Sequence, residues 1–264
     1  GLKDRHAVTR QTFSIHLPGR SDPDWATLTH AEFRVLDAAR HGRKLKRGAL
    51  RGNRFRLVLR EVAGDREVAQ DVIAKILARG VPNYFGEQRF GREGGNLDKA
   101  RAMFAGRRVP RHERSLLLSA ARSALFNAVL AERVARDAWN RALDGEVWML
   151  DGRHSVFGPE PFTDDLAARL ARFDIHPTGP LWGRGALRTS GEVAALEEAV
   201  IAREAEFAAG LVVAGLDQER RSLRLRAAGF TARFDADALT VEFGLPAGCY
   251  ATTLLRELVR VRTG

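Results

Sequence analysis

The sequence predicts an α/β protein in which an α/β domain is interrupted by an inserted, helix-rich one. Three observations predict it. β-patterned segments lie at both ends of the chain, a long helical block lies between them, and 264 residues are enough for two domains rather than one. The boundaries fall near 79 and 225, so 1–78 with 225–264 form the first domain and 79–224 the insertion.

Element by element, Thr12 to Leu17 alternates apolar and polar residues (Phe13, Ile15, Leu17) and reads as a strand stopped by Pro18-Gly19. Ser21 to Leu28 reads as loop, and Phe33 to Ala39 and Phe55 to Arg60 as two further strands. Asp65 to Arg79 has helical spacing, with Val68, Val72, Ile73, Ile76 and Leu77 on one side and Gly80 as its stop. Val81 to Gly95 is rich in glycine and aromatics and reads as a structured loop. Ser115 to Ala138 is a long helical pattern and Ser190 to Gly210 a second, with a mixed segment holding Trp148, Phe157 and Trp182 between them. Gly229 to Phe243 reads as two strands, and Leu245-Pro246-Ala247-Gly248 turns into a helix from Ala251 to about Val261.

Composition narrows the function. An apolar content of 45% excludes general disorder. The 43 Lys and Arg against 33 Asp and Glu leave a net charge of +10, which suits a polyanionic partner, although an Arg-rich proteome gives the same excess. Cys249 is the single cysteine, which excludes an internal disulfide framework or a Cys-based zinc site and fits a reducing compartment. The seven histidines lack metal-ligand spacing, and no Gly-rich phosphate loop or Ser-His-Asp set stands out. No apolar run reaches the roughly 20 residues of a membrane span, and the start is not a charged-then-apolar leader. The expected protein is soluble and cytoplasmic. The chain opens on its best motif without an initiator Met, so an N-terminal part is expected to precede it.

Four stretches carry candidate chemistry. In Gly1 to Gln11, Asp4 sits between Lys3 and Arg5, whose charges favour its ionised form, and an ionised Asp beside a substrate is a nucleophile, a base or an orienting anion. The competing reading is a solvated turn. From Arg43 to Arg60 there are eight Lys or Arg and no acid, the densest one-sign stretch, including Arg43, Lys44, Lys46, Arg47 and Arg51. It closes on Arg51-Gly52-Asn53-Arg54-Phe55, where the Asn53 amide suits the edge of a base and a Gly-Asn turn is the plainer alternative. Gly80 to Gly91 packs Tyr84, Phe85 and Phe90 among glycines and polar groups, either to stack bases or to lock a domain junction. In Leu245 to Leu258 a tight turn feeds a helix, where Tyr250 and the free N–H groups face an anionic, flat substrate, or Tyr250 is a half-buried core aromatic.

Gly1 to Thr9, Lys46 to Phe55, Val81 to Gly91, Ser119 to Asn127 and Leu245 to Glu257, in this order, closely resemble the motifs of the TruD family of tRNA pseudouridine synthases. The resemblance covers nearly the whole chain. It implies a pseudouridine-synthase-type catalytic domain with a mixed or antiparallel sheet, a helix-rich family-specific insertion, and isomerisation of a tRNA uridine (position thirteen in bacterial members) to pseudouridine. It implies no metal and no cofactor; tRNA is the partner, and no protein partner is implied. Asp4 matches the catalytic aspartate, and Asn53 and Phe55 match the motif that helps hold the aspartate and the target base. Tyr250 stands where the family has an aromatic, often Phe. The basic residues Lys3, Arg43, Lys44, Lys46, Arg47 and Arg51 then fall to the RNA backbone. The sequence departs from the family in two ways. It lacks the N-terminal part that supplies a Lys and a Phe to the site, expected to be missing from this sequence rather than from the protein, and Tyr250 adds a hydroxyl. A catalytically inactive RNA-binding or RNA-folding protein of the same fold is the alternative reading.

Overall fold

The computed structural model describes residues 7–46 and 49–260, which divide into two units, 1–51 and 52–264. The described part of the first unit is mostly irregular. Asp24 caps a single 3-10 turn at Trp25–Thr27 through its side chain, which accepts the Ala26 N–H at 3.0 Å. Two-residue strands β1 (Thr29–His30) and β2 (Phe33–Arg34) pair antiparallel. The expected strand over 12–17 is absent, and the one expected over 33–39 stops at Arg34. An alternating pattern becomes a strand only against a partner ladder, and among the described residues Phe13 and Ile15 have none and stand exposed.

The second unit starts with β3 (Gly52–Leu59), α1 (Arg66–Arg79), β4 (Val81–Pro82), α2 (Gly95–Phe104) and α3 (Arg111–Ala135). It continues through β5 (Trp148–Leu150), β6 (Val156–Phe157), α4 (Asp164–Ala171), β7 (Ile175–Leu181), α5 (Gly191–Ala202) and α6 (Ala205–Val213). It closes with β8 (Glu219–Ser222), β9 (Arg224–Leu225), β10 (Ala228–Asp235), β11 (Ala238–Pro246) and α7 (Ala251–Leu258). Every pair of named strands is antiparallel.

One sheet has the order β10-β11-β3. Along β11, Leu239, Val241, Phe243 and Leu245 are buried, and Leu57 and Phe55 of β3 stand opposite Val241 and Phe243. The period of two sends these residues to one face, where Ile76 of α1 and Leu254 of α7 complete the core. Asp65 caps α1 by accepting the Glu67 N–H at 2.8 Å, and Gly80 ends it at a φ of +73°, a conformation open to glycine. A second core lies among α2, α3, α5 and α6, with Leu125, Val129 and Leu211 fully enclosed. A second sheet, β6-β5-β7-β8, packs Trp148 and Ile175 against α4. Between these cores the chain crosses twice, and β4 pairs with β9 at the crossing, Val81 opposite Leu225.

Three helices differ from the sequence reading. The long one runs over Arg111–Ala135. The stretch 190–210 is broken at Glu204, whose ψ of 43° leaves the helical region, and Phe207 beyond it packs edge-on against Phe104 at 6.2 Å. The last helix stops at Leu258 because Val259 is extended, as β-branched residues favour. No described helix is long and apolar enough to cross a membrane.

Candidate active site

The cluster around Tyr250 is built from three sequence motifs that are far apart in the chain. In the loop 83–91, the Asn83 side chain donates to the Ser222 carbonyl at 2.8 Å and its backbone N–H to the Leu223 carbonyl at 2.8 Å. The Phe85 N–H donates to the Asn127 Oδ1 at 2.9 Å, and the Asn127 amide returns a bond to the Phe85 carbonyl at 3.0 Å. This reciprocal pair ties the loop to α3. Arg89 donates to the Ser119 hydroxyl at 2.9 Å, about two turns earlier on the same helix.

The other side of the loop holds the start of α7. The Thr253 hydroxyl donates to the Tyr84 carbonyl at 3.2 Å, and Arg256 forms an ion pair with Glu87. Tyr250 is the N-cap residue of α7, in extended conformation. Its half-buried ring meets Phe85 edge-on at 6.4 Å, and the Arg89 guanidinium lies 6.0 Å from its centroid. Arg221, on β8, donates to the Asn83 Oδ1 at 2.8 Å and the Gly248 carbonyl at 3.2 Å while standing 4.1 Å from the Phe85 centroid. Burial pushes the Arg221 guanidinium below its ordinary range, and burial raises the neighbouring Cys249 thiol, against the lowering influence of Arg221. The site therefore offers an aromatic face with cationic groups behind it, a combination suited to a flat, anionic ligand.

Of the expected residues, Tyr250 stands in this cluster. Asp4, Lys3 and Arg47 lie outside the described residues. Arg43, Lys44, Lys46 and Arg51 are exposed in the first unit. Asn53 is not in a turn, as Gly-Asn chemistry had suggested: it lies within β3 opposite Leu245. Phe55, two residues on, packs against Phe243 with centroids 5.4 Å apart. Further along the basic run, Arg54 and Arg56 lie on the exposed face of β3, where Arg56 pairs with Glu242 at 3.3 Å. In the 80–91 motif, Phe85 is buried, and Tyr84 and Phe90 stand half-buried in the same cluster as Tyr250. Arg221 was missed, and no local signal marks it, because one Arg among 43 basic residues has no distinguishing pattern.

Comparison with known proteins identifies the family. The family model described as tRNA pseudouridine synthase D (TruD) matches residues 1–100 and 96–258. The tRNA pseudouridine synthase D of Xanthomonas oryzae pv. oryzae is 54% identical over 279 residues, covering 99% of this chain and 76% of the relative. That of Nitrosococcus oceani is 52% identical over 267 residues, covering 99% and 75%. A crystal structure of the putative tRNA pseudouridine synthase D of Methanosarcina mazei shares the fold with a TM-score of 0.62 at 21% identity, over 83% of this chain and 71% of that one. The chain belongs to the TruD family of tRNA pseudouridine synthases.

Proposed function

We propose that the protein isomerises a uridine of tRNA, at position thirteen, to pseudouridine, with Asp4 as the catalytic carboxylate. The observation that carries this reading is the family match over 1–258, which includes both Asp4 and Tyr250. In the reaction the base leaves C1′ of the ribose, turns, and rejoins through C5, after which the C5 proton is removed. A carboxylate serves by adding to the ring or to C1′, or as the base that takes the proton. Isomerisation needs neither oxidant nor group donor, so the reading assigns no metal and no cofactor.

The target base of a folded tRNA has to be flipped out before it reacts. Tyr250 then stacks on the uracil, a role that its half-buried ring at a helix start supports. Asn53 and Phe55 hold the aspartate and the base from β3, and the Phe55–Phe243 contact keeps that strand in place. Lys3, Arg43, Lys44, Lys46, Arg47 and Arg51 hold phosphates and set the register. Residues 1–78 and 225–264 form the catalytic domain and 79–224 the insertion, a division supported by the separate cores and the β4–β9 pair where the chain crosses. The cytoplasm, where tRNA is found, is the expected location.

The test is tritium release from tRNA carrying [5-³H]uridine, with the full-length protein and its Asp4→Asn variant. Release that vanishes in the variant while tRNA binding persists supports the reading. Binding without release in either protein favours the inactive RNA-binding alternative.

A further inference from the structure

Arg89 and Arg221 converge on one buried ring: their guanidinium carbons lie 5.5 Å and 4.1 Å from the centroid of Phe85. Two other enclosed arginines of the unit meet acids, Arg133 with Glu146 at 2.7 Å and Arg220 with Glu197 at 2.7 Å, while Arg224 meets His176 and two carbonyls. Among the described residues no carboxylate pairs with Arg89 or Arg221. Arg89 uses Nη1 on Ser119, and Arg221 uses Nη2 on Asn83, the Gly248 carbonyl and, at 3.9 Å, the Cys249 Sγ. That leaves Arg89 Nη2 and Arg221 Nη1 without an acceptor among those residues, and the Nε of each is buried without one. Their like charges also oppose each other: burial first, and Arg89 among the further causes, lowers the Arg221 pKa. Two partly enclosed cations with open donors and no carboxylate partner among the described residues are costly unless an anion reaches them.

We propose that Arg89 and Arg221 form a subsite for an RNA phosphodiester beside Tyr250, so that one nucleotide is held by its base on the ring and by its backbone on the guanidiniums. This rests on the reading of the site as one that takes tRNA. The phosphodiester fits because its two non-bridging oxygens can each accept a charge-assisted hydrogen bond, one from Arg89 Nη2 and one from Arg221 Nη1. Neither side chain reads a base edge, so the contact adds affinity without sequence preference.

The experiment measures tRNA affinity across a potassium chloride series for the full-length protein, Arg89→Gln and Arg89→Lys, with the melting temperature of each. Arg89→Gln is expected to bind several-fold more weakly and to lower the slope of log K against log salt by about 0.7 to 0.9, the value of one phosphate contact. Arg89→Lys is expected to restore the slope, because it keeps the charge, but not the whole affinity. A wild-type slope and affinity in Arg89→Gln overturns the subsite. So does a loss of turnover alone, which would mean that the guanidinium serves another anion. If Arg89→Gln melts early, Arg89→Lys and Arg221→Lys decide: weaker binding at an unchanged slope supports the guanidinium contact, and unchanged affinity in both overturns it. Tritium release separates the two readings. A wild type that modifies tRNA while Arg89→Gln keeps the wild-type slope sinks the subsite alone, whereas an Arg89-dependent slope in a protein that never releases tritium sinks the catalytic reading alone.

Discussion

The ring of Tyr250 lies against the backbone of Gly86, so closely that a methyl group at position 86 would stand 2.9 Å from the ring Cδ1 and 3.1 Å from Cγ. The backbone of Gly86 itself is extended, with a φ of −72° that any residue adopts. The glycine is therefore required by the ring and not by the turn.

Gly86→Ala is expected to displace Tyr250 while the loop keeps its hydrogen bonds to Asn127. Overpacking of this kind costs about 1–3 kcal/mol of stability. If the ring stacks on the target base, misplacing it lowers turnover by roughly ten- to a hundredfold, more than it changes tRNA affinity. Steady-state kinetics against a binding titration checks the split, and a variant with wild-type turnover would show that the position of the ring is immaterial.

The Arg133–Glu146 pair gives a prediction about stability. Both side chains are almost fully enclosed, and burial raises the Glu146 carboxyl despite the opposing pull of Arg133. Arg133 also donates to the Ala138 carbonyl at 2.8 Å and the Arg141 carbonyl at 3.1 Å. Arg133→Met leaves Glu146 buried without its main counter-charge and is expected to destabilise the protein by about 3–5 kcal/mol. Adding Glu146→Gln to it is expected to recover part of the loss, because the uncompensated charge is gone. Urea midpoints of the two variants decide, and equal midpoints would count against a charge effect.

His176 supplies the pH dependence. Its Nδ1 accepts from the Arg224 Nε at 3.0 Å, so the ring proton is on Nε2, which donates to Asp151 at 2.8 Å. Burial lowers the His176 pKa below its ordinary 6.5, with Arg224 adding to the effect and Asp151 opposing it. The unfolded chain then binds a proton near pH 6.5 that the folded chain resists, so stability is lost as pH falls from about 6.5 toward the folded value. The hydrogen bond from His176 lowers the Asp151 pKa below 3.8, and its share is lost only in stronger acid. His176→Gln keeps both hydrogen-bond roles without the titration. Its urea midpoint is expected to change less than that of the wild type between pH 7.5 and pH 5.5, values on either side of the ordinary histidine pKa of about 6.5. Parallel curves would remove His176 from the account.

Local pattern determined a good deal of this protein. The caps of α1, the alternation of Phe55 and Leu57 and the hairpin of β10 and β11 follow from residue types a few positions apart, because backbone sterics and short-range burial act over that range. The five ordered motifs likewise identified the family, since each stretch is contiguous in sequence. Tertiary structure decided what those stretches do to one another. It joined Phe85 to Asn127, set Gly86 under Tyr250 and brought Arg221 to Phe85 across more than a hundred intervening residues. Among the described residues it also gave Phe13 and Ile15 no ladder of the kind their alternation called for. A periodicity records which side of an element wants burial; which partner covers that side depends on contacts that only the folded chain makes.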